Sequence, residues 1–170
     1  MNSLVVFSSL TGNTEKIARI IHETIPFKKD IFNTSENFNL NSYDLIAIGY
    51  WVNKGTCDDK IEEIISSLHN KKIILFGTLG AKDSGNYYES IKMRIETLVS
   101  KDNIILGHFL CQGKIDERLT ERYKEMLKKN PNDEHIVEQL KNHEEAKVHP
   151  NQDDMENAKK LVEYIFKKVN

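Results

Sequence analysis

Two cysteines, Cys57 and Cys111, are the only thiols in 170 residues. That excludes a disulfide framework, and the pair lacks the four-ligand spacing of a structural zinc site. No stretch reaches 18 consecutive apolar residues, and the first apolar run begins at Ser3 with no basic leader. The expectation is therefore neither a membrane span nor a secretory signal, and a cytoplasmic protein. An excess of charge of one sign is lacking too. The formal net charge is -2; residues 1–115 carry 13 basic and 13 acidic groups, and residues 116–170 carry 11 and 13. Such a balance leaves no electrostatic footprint for nucleic acid or for an anionic membrane surface. Internal repeats and low-complexity linkers are also missing. What is present is 39% hydrophobic residues, enough for one domain over residues 1–170 to bury a core without metals or cross-links.

Five short runs read as strands: Leu4–Phe7, Lys29–Phe32, Leu45–Tyr50, Ile73–Phe76 and Ile104–Leu110. Most are continuously apolar, the pattern of strands covered on both faces by helices. Between them, Ile17, Ile20 and Ile21, then Ile61, Ile64, Ile65 and Leu68, then Ile91, Ile95, Leu98 and Val99 recur at helical spacing. Alternating strands and helices with short connections predict an α/β fold with a parallel, doubly wound sheet. The second run is polar and asparagine-rich around it, which suits an edge strand followed by a surface loop. From Asp116 the chain turns helical and charged, with Leu119, Tyr123, Met126 and Leu127 on one face. Pro131 interrupts, and Ile136, Val137 and Leu140 form a second face. Residues 116–150 thus read as a helical insertion. A final helix over 153–169 follows, capped by Asp153 or Asp154, with Met155, Ala158, Val162, Ile165, Phe166 and Val169 on its apolar side.

In open parallel sheets ligands bind beyond the carboxyl ends of the strands. After the first strand stands "SLTGNT": Ser9, Thr11 and Thr14 offer hydroxyls, Gly12 permits close approach, and the first-turn amides of the next helix point the same way. A helix N-terminus binds a phosphate without a charged side chain. The segment lacks the lysine of a "GxxxxGK" triphosphate loop and the "GxGxxG" of a dinucleotide loop; alternatively, Thr11 or Asn13 caps the helix and nothing more. The third strand ends in "GYWVNKGT", where Trp51, the single tryptophan, either stacks on a planar ring or shields the edge of the core. The fourth ends in "FGTLG", where Gly77 and Gly80 allow close backbone approach or a sharp turn.

With these residues in place, the chain resembles a flavodoxin. "SSLTGNTEKIA" matches that family's phosphate loop, "YDLIAIGYW" resembles the strand that delivers an aromatic to the flavin, and "ILFGTLG" resembles the strand flanking the ring's other side. More narrowly, "GYWVNKGT" and "GHFLCQGK" resemble flavodoxin-like proteins of anaerobic bacteria, a match that extends into the helical tail. The resemblance implies a five-stranded sheet of order 2-1-3-4-5 and one non-covalent FMN. It also implies that Ser9, Leu10, Thr11, Gly12, Asn13 and Thr14 hold the phosphate, that Trp51 with Val52, Asn53, Lys54 and Gly55 lies at the ring, and that Thr78, Leu79 and Gly80 flank it. Tyr87 and Tyr88 compete with helix packing for a second aromatic role.

Two departures from the family stand out. The chain is nearly neutral where flavodoxins are acidic, and Lys54 lies beside the ring, which predicts a less negative potential for full reduction. The 116–150 insertion starts on the flavin side, so it either covers the site, docks a partner or is a solvated helical pair. His143 and His149 have no metal-ligand spacing and read as exposed helix positions. The functional reading is an electron carrier between soluble redox enzymes. The alternatives are an FMN-dependent NAD(P)H reductase or the flavin subunit of one, favoured by a pocket built from the insertion, and a flavin-free binding module.

Overall fold

Continuous apolar runs require two covering layers, and the chain supplies both. The computed structural model describes residues 1–169; the Val169 side chain, placed by periodicity on the last apolar face, lies outside the described residues. In chain order the elements are β1 (Asn2–Phe7), α1 (Asn13–Thr24), β2 (Lys28–Asn33), β3 (Leu45–Asn53), β4 (Thr56–Cys57), α2 (Asp59–Ser67), β5 (Lys72–Leu79), α3 (Tyr87–Glu96), β6 (Ile104–Gln112), α4 (Glu117–Lys129), α5 (Glu134–Ala146) and α6 (Gln152–Val169). A 3-10 turn, Leu40–Ser42, lies in the surface loop after β2.

The five long strands are parallel in the order β2-β1-β3-β5-β6, the expected doubly wound sheet. β4 is an addition: two residues pair antiparallel with the end of β3, Val52 opposite Cys57 and Asn53 opposite Thr56. Successive side chains of a strand point to opposite faces, and the core divides accordingly. Leu4, Val6, Ile46, Ile48 and Leu75 pack under α2 and α3 with Ile61, Ile65, Ile91 and Ile95. Val5, Phe7, Ala47, Ile74 and Phe76 pack under α1 and α6 with Ile17, Ile21, Val162 and Ile165.

Several boundaries differ from the sequence expectation, each for a physical reason. β3 runs to Asn53 instead of Tyr50 because β5 and β4 both pair with its end, Trp51 lying opposite Thr78. α3 stops at Glu96, so Leu98 and Val99 pack against the core from the turn beyond it. α5 buries Ile136 but leaves Val137 half exposed; its inner stripe continues through His143 and Ala146 instead. The cap of α6 is Asn151, not Asp153 or Asp154. Asn151 Oδ1 accepts from the Asp154 amide (3.0 Å) and Asp154 Oδ2 accepts from the Asn151 amide (2.8 Å), a reciprocal box that satisfies two donors at once.

One polar chain crosses the α3 side of the core. The Glu96 carboxylate accepts from His108 Nδ1 (2.8 Å), which leaves Nε2 as the acceptor for the hydroxyl of fully buried Tyr50 (2.7 Å). That arrangement requires a neutral imidazole. Burial pushes the His108 pKa down from 6.5 to about 4, against the opposing pull of Glu96. The unfolded chain therefore takes up a proton here at higher pH than the native protein does. The resulting stability is complete above pH 6.5 and is lost as pH falls through 4. Over that interval urea unfolding should show wild type losing about 3 kcal/mol more stability than His108→Gln; equal losses would show that His108 does not control the acid limb.

Candidate cofactor site

The order of strands reverses between β1 and β3, and the residues flagged in the sequence gather at that point. The loop after β1 is fixed first by the backbone: the Ser8 amide donates to the Gly49 carbonyl at 2.9 Å. Ser9 Oγ then accepts from the amides of Gly12 (3.1 Å) and Glu15 (3.4 Å), so the serine hydroxyl closes the loop onto the start of α1. The helix is not capped by Thr11 or Asn13. Gly12 takes the N-cap position at φ 89°, and its side toward a missing Cβ is open space. A side chain would be strained in that left-handed conformation. The first-turn amides of Asn13 and Thr14 have no acceptor within their own helix. They sit at the positive end of its dipole.

Behind this loop the hydroxyls stitch the strand ends together. Thr14 is 1% exposed, and its hydroxyl donates to the Tyr50 carbonyl (3.3 Å) while pairing with Thr78 Oγ1 (2.9 Å). Asn13 Nδ2 reaches in the other direction, to Thr11 Oγ1 (3.1 Å) and the Lys114 carbonyl (2.8 Å) beyond β6. Asp58, at the start of α2, is buried, and its Oδ2 has no hydrogen-bond partner among the described residues. Burial raises its pKa, opposed by Ser8 and by the backbone of Ile61 and Trp51.

Ser9, Leu10, Thr11, Asn13, Thr14, Trp51, Val52, Thr78, Leu79 and Gly80 line one cavity of about 330 Å³. Gly12 belongs to the same loop. Asn53, Lys54 and Gly55 do not line the cavity. Lys54 (φ 49°) and Gly55 (φ 81°) form the two-residue turn from β3 into β4. Positive φ at both positions gives the twist that a tight hairpin needs. Arg94 clamps this turn by donating to the Gly55 carbonyl at 2.8 Å. Tyr87 and Tyr88 also stay out of the cavity: Tyr87 is on the surface, and Tyr88 donates its hydroxyl to the Ala81 carbonyl at 2.8 Å. Both thiols are buried. Burial pushes Cys57 up to about 11 and Cys111 higher still, so neither is a nucleophile at neutral pH.

Residues that the sequence reading did not place at the site make the remaining wall, in line with the covering alternative for the insertion. Ala81 beyond β5, Lys114, Ile115 and Asp116 between β6 and α4, Leu119 and Tyr123 of α4, and Gln139, Asn142 and His143 of α5 line the same cavity. The Arg118 side chain and amide hold Asp116 down at about 2. His143 is 4% exposed instead of a surface residue; its Nδ1 pairs with Thr120 Oγ1 at 2.9 Å and its ring meets the Tyr123 ring at 5.1 Å. Desolvation lowers its pKa. Its place could have been found, because His143 lies three residues past Leu140 and seven past Ile136, on the inner stripe of α5.

Asn142 fastens this wall. Its Nδ2 donates to the Gly80 carbonyl (3.0 Å), and its Oδ1 accepts from the Lys82 amide (3.1 Å) and from Gln112 Nε2 (3.2 Å). Gln112 donates to the same Gly80 carbonyl at 3.0 Å. The resulting enclosure offers helix-end amides and hydroxyls at one end and Trp51 with apolar strand ends at the other. These residues fit a planar ring carrying one phosphate, which is the form of FMN.

Known proteins resemble this chain in sequence and in fold. The flavodoxin domain matches residues 4–163. The chain is 47% identical over 174 residues to the flavodoxin-like domain-containing protein BilS of Clostridioides difficile (strain CD3), covering 100% of this chain and 99% of the relative. In structure it is similar to the Streptococcus pneumonia TIGR4 flavodoxin, with a TM-score of 0.62, 16% identity and 99% of both chains covered. It is also similar to a Lactobacillus acidophilus NCFM flavoprotein in complex with FMN, with a TM-score of 0.51, 15% identity and 72% and 98% covered. Sheet order, strand-end loops and sequence match together establish that the chain belongs to the flavodoxin family, whose cofactor is FMN.

Proposed function

We propose that the chain is a cytoplasmic electron carrier that binds one FMN at the ends of β1, β3 and β5 and passes electrons singly between redox enzymes. Bound FMN supplies the electron chemistry; the protein supplies position and electrostatics. The hydroxyls of Ser9 and Thr11 and the amides of Asn13 and Thr14 hold the phosphate. The hydroxyl of Thr14 stays engaged with Tyr50 and Thr78 and keeps the loop registered on the sheet. Trp51, Val52 and Thr78 to Gly80 flank the ring. The observation that carries this reading is a cavity of about 330 Å³ that joins all three strand ends. Ligand pockets span roughly 300–1,000 Å³, so this one suits a lone planar group better than a cofactor with a second substrate. Two free, buried thiols fit a reducing compartment.

Lys54 gives the carrier a distinctive electrostatic setting. It stands exposed on the β3–β4 turn, two residues beyond Val52, which lines the cavity. A cation there favours added negative charge on the ring. The wall contributed by α4 and α5 supports a second reading, an FMN-dependent reductase of small acceptors or the flavin subunit of a reductase.

Titration of FMN against the purified chain, followed by fluorescence quenching, should give one site per chain. Gly12→Val, which forces a branched side chain into φ 89°, should weaken that site at least ~10-fold. No quenching by wild type would leave the flavin-free binding module. Reduction of the loaded protein in two resolved one-electron steps, without oxidation of NADPH, supports the carrier; direct bleaching by NADPH supports the reductase. Lys54→Gln should move the potential for full reduction to a more negative value, and an unchanged potential disposes of the role given to Lys54.

A further inference from the structure

Helix α4 has an apolar face that its own protein leaves unfinished. Its 13 residues carry Leu119, Tyr123, Met126 and Leu127 at helical spacing, yet none of its residues is fully buried. Leu119 and Met126 are 41% and 43% exposed. An amphipathic helix of this kind ordinarily owes its stability to burial of that stripe against the core. Here α4 packs on α5, and Leu119 and Tyr123 turn toward the cavity that Trp51 and the β1 loop also line. Leu10, at the tip of that loop, is 64% exposed at the same cavity. Three large apolar groups from opposite walls thus border one space while each remains partly in water.

Tyr123 is held ready at this place. The buried His143 meets the edge of its ring, and Thr120 fixes the imidazole through Nδ1. Asn142, next to His143, latches α5 onto the Gly80 carbonyl and the Lys82 amide. Apart from Trp51 and His143, Tyr123 is the aromatic residue lining the cavity, since Tyr87 and Tyr88 lie elsewhere.

Resting on the FMN reading above, we propose that the α4–α5 insertion is part of the cofactor site, with Tyr123 as its ring-contacting side chain, Leu119 completing the apolar cover and Asn142 as the positioning residue that latches it. The occupant facing Leu119 and Tyr123 is the planar ring of FMN, and cofactor binding steadies the insertion.

The test uses the whole chain and FMN itself. Tyr123→Phe should bind as wild type does, whereas Tyr123→Ala should weaken binding ~10-fold and alter the visible circular dichroism of bound FMN. Asn142→Ala should weaken FMN several-fold through faster release, leaving the visible dichroism of the bound fraction unchanged. Amide exchange across α4 and α5 should slow on adding FMN to wild type and slow less in Asn142→Ala. Far-UV dichroism of the apo variants reports folding. If Tyr123→Ala unfolds, the wild-type exchange measurement decides alone, and unchanged exchange across α4 and α5 overturns the proposal. Binding within twofold of wild type and an unchanged visible signal in Tyr123→Ala would also overturn it. If Gly12→Val loses FMN in the same assay, the strand-end site survives that failure; if wild type itself binds no FMN, the reading beneath the proposal fails instead.

Discussion

The hydroxyl of Thr14 is the contact on which the site depends. It comes from the first turn of α1 and meets the Tyr50 carbonyl of β3 and the Thr78 hydroxyl of β5, so one small side chain ties the β1 loop to two other strand ends. At 1% exposure it has no water to exchange with. A buried hydroxyl left without partners costs about 1–3 kcal/mol, which makes the register of α1 on the sheet strongly preferred. That register in turn fixes where the first-turn amides point and how Trp51, opposite Thr78, stands to them. Local chemistry here sets the geometry of a site whose parts are far apart in sequence.

How much of this was legible before the fold was known follows from the type of force involved. Strands covered on both faces had to be apolar throughout, so Leu4–Phe7 and Leu45–Tyr50 declared themselves, and helical periodicity marked α1, α2 and α6. The loop between β1 and α1 was legible because it is local: Ser9 to Thr14 sit together in sequence as they do in space. β4 was not legible. Its turn places Lys54, not the usual Asn or Asp, at positive φ ahead of Gly55, and two residues of pairing leave no periodicity. The cap of α6 was sought at Asp153 or Asp154, one turn too late, because an asparagine after a proline reads as turn; the reciprocal bonds between Asn151 and Asp154 place it at Asn151.

The insertion was the least legible part. Its polar fastening joins Gly80, Gln112 and Asn142, three residues far apart in sequence, by contacts that no spacing rule connects. His143 was misplaced for a related reason. Histidine counts as polar in a binary pattern, yet burial lowers its pKa and makes it a neutral ring that can face a cavity. Residues 116–146 lie inside the stretch that the flavodoxin domain and the relative at 47% identity both match, beside the doubly wound scaffold.

The Asn142 fastening differs in kind from the packing beneath it. Side-chain amides on a backbone carbonyl can be traded for water one by one, whereas an interdigitated apolar seam must part all at once. Thr14 and the two core layers take no part in that fastening, so water that loosens the Asn142 contacts leaves the register of the sheet untouched.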